Sequence, residues 1–169
     1  MLPLILALSM CIALTNCIDS AKPILAESEP LLGDQVRFQL YALREGAAHD
    51  PMAATFAWRG DRYVLTSAGG EGFGDFTVEV LEGPDLIVQS IRPGLATEYA
   101  IARRLADGTY LVVAIDESDS GQSARDQFCR KETGASCRVS TRDAVLAFAR
   151  ATAAKPHSSG GLAVLLADQ

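Results

Sequence analysis

The sequence predicts a mainly β (α+β) domain: an antiparallel β-meander, closed as a small barrel or stacked as a sandwich, with one or two helices in its C-terminal third. Three observations carry this. Alternating apolar and polar segments follow one another from residue 35 to residue 116, joined by short glycine-bearing turns. The apolar period then changes from two to about 3.6. A charge-free apolar run at the N-terminus stands apart from both patterns.

Residues 35–43, QVRFQLYAL, alternate Val36, Phe38 and Leu40 against Arg37, Gln39 and Tyr41, the pattern of a half-buried strand. Residues 54–67 read as two strands turning at Arg59-Gly60-Asp61-Arg62. Residues 75–91 form a second hairpin about Glu82-Gly83-Pro84-Asp85, and residues 97–116 a third about Ala106-Asp107-Gly108. Seven strands in sequence with short turns suggest an antiparallel meander.

Residues 123–130 read as a short helix with Ala124 and Phe128 inward. Residues 140–155 read as the clearest helix. Ser140 is the expected N-cap, with Asp143 in the capping-box position, and Pro156 follows the end. Its apolar stripe runs through Ala144, Ala147, Phe148 and Ala151, widened by Val145; Thr152 falls within the stripe and Leu146 points elsewhere. Residues 162–167 read as a last strand. Phe148 is expected to pack on the sheet.

The chain has 169 residues, enough for one domain with a core. Its 15 basic and 21 acidic residues leave a charge of −6, which argues against nucleic-acid binding and against electrostatic docking on anionic lipid. Residues 2–14 carry no charge and are too few for a bilayer span of about 20. They match the apolar core of a secretory signal. The organisation expected is therefore a signal over residues 1–16, a flexible tether over 17–34 with a reach of about 20–25 Å, and one β-rich domain over 35–169.

Cys129 and Cys137 form an even pair with seven residues between them. In an oxidising compartment they are expected to form a local disulfide, for which loop entropy contributes about 2.6 kcal/mol. A metal pair would need closer spacing and a nearby histidine.

Leu14-Thr15-Asn16-Cys17 resembles the lipobox of bacterial lipoproteins, an aliphatic residue and two small residues before a cysteine. It matches at Leu14, Thr15 and Cys17; Asn16 stands where glycine, alanine or serine is usual. The resemblance implies that Cys17 is acylated, becomes the first residue after cleavage and holds the protein on a membrane through its acyl chains. Ile18, where an inner-membrane retention signal would have aspartate, points by the same resemblance to the outer membrane and its periplasmic side.

No motif assigns a catalytic residue, a cofactor or a metal. Ser67–Asp75 has glycines at 69, 70, 72 and 74, but neither the dinucleotide fingerprint nor the lysine-bearing phosphate loop fits. Asp116-Glu117-Ser118-Asp119-Ser120 lacks the glycine and distant glutamate of a calcium loop. His49 and His157 lie in polar, turn-like segments, and no serine has the flanks of a nucleophile elbow. Trp58 lacks the preceding glycine of the lipocalin first strand: Phe56 stands there. Trp58 reads as a core or rim aromatic, and Arg59-Gly60-Asp61 as a turn.

The layout as a whole resembles small proteobacterial lipoproteins and exported proteins of uncharacterised function. The expectation is a lipid-anchored periplasmic domain without catalysis, binding an envelope protein, a polymer or a small ligand. An inhibitor of a periplasmic hydrolase is the alternative, and a hydrolase with an unrecognised site the third reading.

Overall fold

The structure, a computed structural model, describes residues 17–26, 29–44, 47–48, 51–69, 73–118, 122–129, 137–157 and 160–166. The expected signal over 1–16 lies outside the described residues. The elements in order are β1 (Ile18–Ser20), β2 (Gln35–Arg44), β3 (Ala47–Ala48), β4 (Met52–Trp58), β5 (Tyr63–Ala68), β6 (Asp75–Glu82), β7 (Asp85–Ile91), β8 (Thr97–Ala106), β9 (Thr109–Ala114), α1 (Gln122–Phe128), β10 (Cys137–Arg138), α2 (Arg142–Ala153) and β11 (Gly160–Leu165).

Strands β2, β4, β5, β6, β7, β8 and β9 pair antiparallel in sequence order. The last strand, β11, then pairs with β9 on one side and β2 on the other. The ring is closed: among the described residues, eight antiparallel strands form an up-and-down barrel. Closure removes the unpaired edges that an open sheet would expose. The choice the sequence left open, barrel or sandwich, is settled by this last strand. Register shifts at Thr55/Phe56, at Val80/Glu82 and at Arg104/Ala106 are bulges of the kind that bend a sheet far enough to close.

The alternation of side chains builds two cores. One fills the barrel, with Val36, Ala54, Phe56, Tyr63, Phe76 and Val78 buried together. The other lies outside the wall: Leu81, Ile87, Ile101 and Val113 meet Val145, Phe148 and Ala149 of α2. Strands β7–β9 are thus covered on both faces.

Helix α2 starts one residue later than expected. Thr141, extended at φ −134°, is the N-cap and its hydroxyl accepts from the Ala144 N–H at 3.3 Å. Phe148 is fully buried, as expected, and so is Thr152 within the stripe, but the buried face also takes in Leu146 and Ala149. Helix α1 packs against α2 as well as the sheet does. At the other end the Arg103 guanidinium donates to the Ala153 carbonyl, and His157 lies 2.7 Å from the Thr152 carbonyl.

The stretch expected to be a flexible tether is instead docked where it is described. Strand β1 pairs antiparallel with β8 and parallel with β10, and Ile18 and Leu25 are buried. Apolar Ile18, Ile24 and Leu25 find cover on the outer core, which outweighs the chain entropy that the polar spacing suggested would win.

Candidate functional site

The barrel is not packed solid. Its interior holds a cavity of about 80 Å³. Phe38 and Leu40 of β2, Phe56 of β4, Phe76 and Val78 of β6, Leu86 and Val88 of β7, and Tyr110 and Val112 of β9 line it. Ala100 and Ala102 of β8 and Ala163 of β11 complete the wall. The void follows from this distribution. Large rings cluster on β2, β4 and β6, while β8 and β11 offer only methyl groups across from them. Phe56 and Phe76 meet edge-on at 4.8 Å, and Tyr63 stacks on Phe76 at 4.8 Å, so the aromatic side is held in place and does not collapse into the space.

Connections cover the ends in part. At the end where β5 leads into β6, Phe73 and Gly74 line the cavity. A side chain at position 74 would stand 2.4 Å from Cγ of Arg92, so only glycine fits beneath that arginine. Arg92 pairs with Glu98 at 2.7 Å, and both are largely buried. Burial pushes the Glu98 carboxyl above the ordinary glutamate range, and the guanidinium opposes that rise. Ser90, buried two residues before Arg92, has no hydrogen-bond partner for its hydroxyl among the described residues. At the opposite end the chain entering β2 lays Leu32 across the interior. Val80 shares the inward phase of Phe76 and Val78, yet is 50% exposed, so the interior row meets solvent here.

Chemically the lining is hydrocarbon. Among the described lining residues the Tyr110 hydroxyl is the one polar side-chain group, and none carries a charge. Such a surface can desolvate an apolar group but presents no nucleophile beside a base.

No family model, no curated protein and no solved structure matches this chain. The reading of the site rests on its own geometry.

The residues singled out in the sequence lie elsewhere. Cys129 and Cys137 form the expected disulfide, with Cα atoms 5.0 Å apart, tying the end of α1 to β10. Glu117 is buried beside it, its carboxylate within 4.8 Å of both sulfurs. With both sulfurs in the disulfide, no thiolate is present there to bind a metal. Cys17 is buried, pairs as an isolated bridge with Asp116 and is itself disulfide-bonded. A sulfur so engaged and a thioether to lipid exclude one another. The Asp116 carboxylate accepts from the Ser118 N–H at 2.6 Å, an ordinary turn; Asp119, Ser120 and His49 lie outside the described residues. Trp58 stands half-buried, edge-on to Tyr63 at 5.2 Å. Of the glycine-rich stretch, Gly70, Glu71 and Gly72 lie outside the described residues, and Phe73 and Gly74 belong to the cavity.

Sequence reasoning missed the cavity. The available signal was Tyr99-Ala100-Ile101-Ala102, large residues alternating with small ones on a strand whose two faces are both covered. The large members face α2; the alanines face inward.

Proposed function

We propose that this protein is a non-catalytic binding domain that takes an apolar group into its barrel, while the lipobox-like Cys17 tethers it to the periplasmic side of a bacterial membrane, the outer one by preference. The observation that carries the binding half is the cavity: an eight-stranded barrel is just wide enough to be filled by side chains or to hold one small ligand, and here small residues at 100, 102 and 163 leave the second option open. Burying hydrocarbon against hydrocarbon is the chemistry the wall supplies. The absence of charge among the described lining residues favours binding over turnover. The tether is supported by Leu14, Thr15 and Cys17 in sequence, and it requires a mature chain whose Cys17 sulfur is free of the disulfide described above.

The test is displacement of the fluorescent probe N-phenyl-1-naphthylamine by small apolar ligands, with Ala102→Leu as the filled-barrel variant. The reading expects saturable binding that falls at least about tenfold in Ala102→Leu, whose added carbons occupy the void. Equal binding by both proteins would overturn it.

A further inference from the structure

We propose that Leu32 is a removable plug, that the turn over residues 29–34 is a lid latched by the Tyr63 hydroxyl, and that the occupant is an unbranched aliphatic chain longer than the closed cavity can hold. This deepens the binding function proposed above and rests on it.

Leu32 differs from the other lining residues by origin. The rest come from barrel strands or from the β5–β6 connection; Leu32 comes from the chain laid over the barrel before β2 begins. The turn that presents it is short. Gly33 donates to the Pro30 carbonyl at 2.9 Å, and Gly33 itself has φ +92°, which a larger residue would resist. One side of this turn packs the half-buried Leu32 against the inner core, while the neighbouring Leu31 is 41% exposed. The turn therefore commits a single leucine to the barrel.

The attachment points are distinct in kind. The Leu32 N–H donates to the Tyr63 hydroxyl at 2.8 Å. Tyr63 is fully buried and fixed by the Phe76 and Trp58 rings, so this oxygen belongs to the rigid wall. On the far side of Gly33 the Asp34 carbonyl accepts from the Trp58 N–H at 2.9 Å, continuing the β2–β4 ladder. A latch to a side chain precedes a glycine, and a ladder follows it; that is the anatomy of a hinge.

Size decides why the lid must move. With Leu32 in place the cavity, partly open to solvent, measures about 80 Å³, far below the roughly 300–1,000 Å³ of sites that hold a sizeable ligand. It is also below the roughly 150 Å³ of a dry cavity that accepts benzene. With Leu32 swung out, its place joins the void at the end where Val80 already meets solvent. The opened space is lined by hydrocarbon along its length and offers no charged side chain among the described lining residues, so a chain enters tail first and leaves its head outside.

The experiment measures stopped-flow association and affinity of ethanol and 1-octanol from the change in fluorescence of Trp58, which lies against Tyr63 in the full chain. Ethanol, small enough for the cavity as it stands, binds without a gate. Octanol binds with an observed rate that saturates at the rate of lid opening. Tyr63→Phe, which keeps the ring and removes the latch, raises that saturating rate about fivefold, the worth of one hydrogen bond. Leu32→Ala abolishes saturation and tightens octanol by at least about tenfold, since each newly covered methylene contributes about fourfold. If octanol associates without saturation in the unaltered protein, or if both variants leave its rate and affinity unchanged, the lid is wrong while the binding reading stands. If neither alcohol binds at all, the binding reading falls, and the lid with it.

Discussion

Gln89 acts in place of a strand. It is fully buried on the outer face of β7, where its Oε1 accepts the N–H groups of Ile24 at 2.6 Å and Leu25 at 2.9 Å. Its Nε2 donates to the Leu25 carbonyl at 2.9 Å and to Thr77 Oγ1 at 2.8 Å. One amide thereby satisfies three backbone groups of a segment that has no ladder of its own. Gln89→Leu keeps the volume and strands those groups, so it should cost about 2–4 kcal/mol in chemical denaturation, with fast exchange appearing at the Leu25 amide. Retained exchange protection at Leu25 would show that the clamp is dispensable. Beside it, Tyr99 meets Ser20 Oγ at 2.6 Å, and burial pushes its phenol up to about 12 from an ordinary 10. The sign follows from linkage: the folded state holds this proton more tightly than the unfolded chain does, so its contribution is whole below pH 10 and is lost as pH rises to about 12. Tyr99→Phe should therefore flatten the fall of stability across that alkaline window by about 2–3 kcal/mol. An unchanged slope in pH-dependent unfolding would count against it.

Elements were legible in proportion to how plainly each face of the chain met one environment. Strand β2 alternates because one side faces the barrel interior, with Val36 and Leu40 buried and Arg37 exposed. Its bounds and those of the three hairpins follow their turns closely. In Tyr110-Leu111-Val112-Val113-Ala114-Ile115 the alternation vanishes, since β9 is covered on both faces, and a run of this kind indicates burial without indicating which residue faces which core. The helix cap lies one residue along, at Thr141, and Ser140 and Thr141 offer the same hydroxyl chemistry to a sequence reading. Leu146 lay off the expected stripe, and a helical wheel assumes one neighbour, whereas α2 packs against both the sheet and α1. The docking of α2 makes a sharp prediction. Phe148→Ala empties a fully buried site and should cost about 3–5 kcal/mol. Arg150→Ala, on the exposed face, should cost less than about 0.5 kcal/mol. Denaturant midpoints decide, and equal midpoints would mean that the helix contributes nothing to the wall it covers.

At the scale of the whole molecule, closure hangs on the last strand. Between β9 and β11 the chain builds α1, β10 and α2, with α2 over the outer face, before β11 joins β9 to β2. No local pattern in Gly160–Leu165 announces this, because pairing with strands far back in sequence is a property of the whole chain. The cavity was hidden for the same reason: an alanine reads as filler until closure of the barrel turns it inward beside the rings of other strands. Among the described residues no helix is long and apolar enough to cross a membrane, which says nothing of strands. At the N-terminal end the docked β1 changes the geometry of the proposed anchor. Ile18 is fully buried, so acyl chains on Cys17 would leave the domain one residue from its wall, and the domain would lie against the bilayer and not at the end of a 20–25 Å tether. Two outcomes at one sulfur exclude each other, and the mass of the mature N-terminal peptide distinguishes them. Acylation predicts labelled fatty acid in the protein, recovery with membranes, and release to the soluble fraction in Cys17→Ser. Because Ile18 and Leu25 supply the docking, the released protein should keep slow exchange at the Ile18 amide, which donates to the Ile115 carbonyl at 3.1 Å. An N-terminal peptide that carries Cys17 in a disulfide and no lipid would overturn the anchor and leave the barrel, its cavity and its lid as they stand.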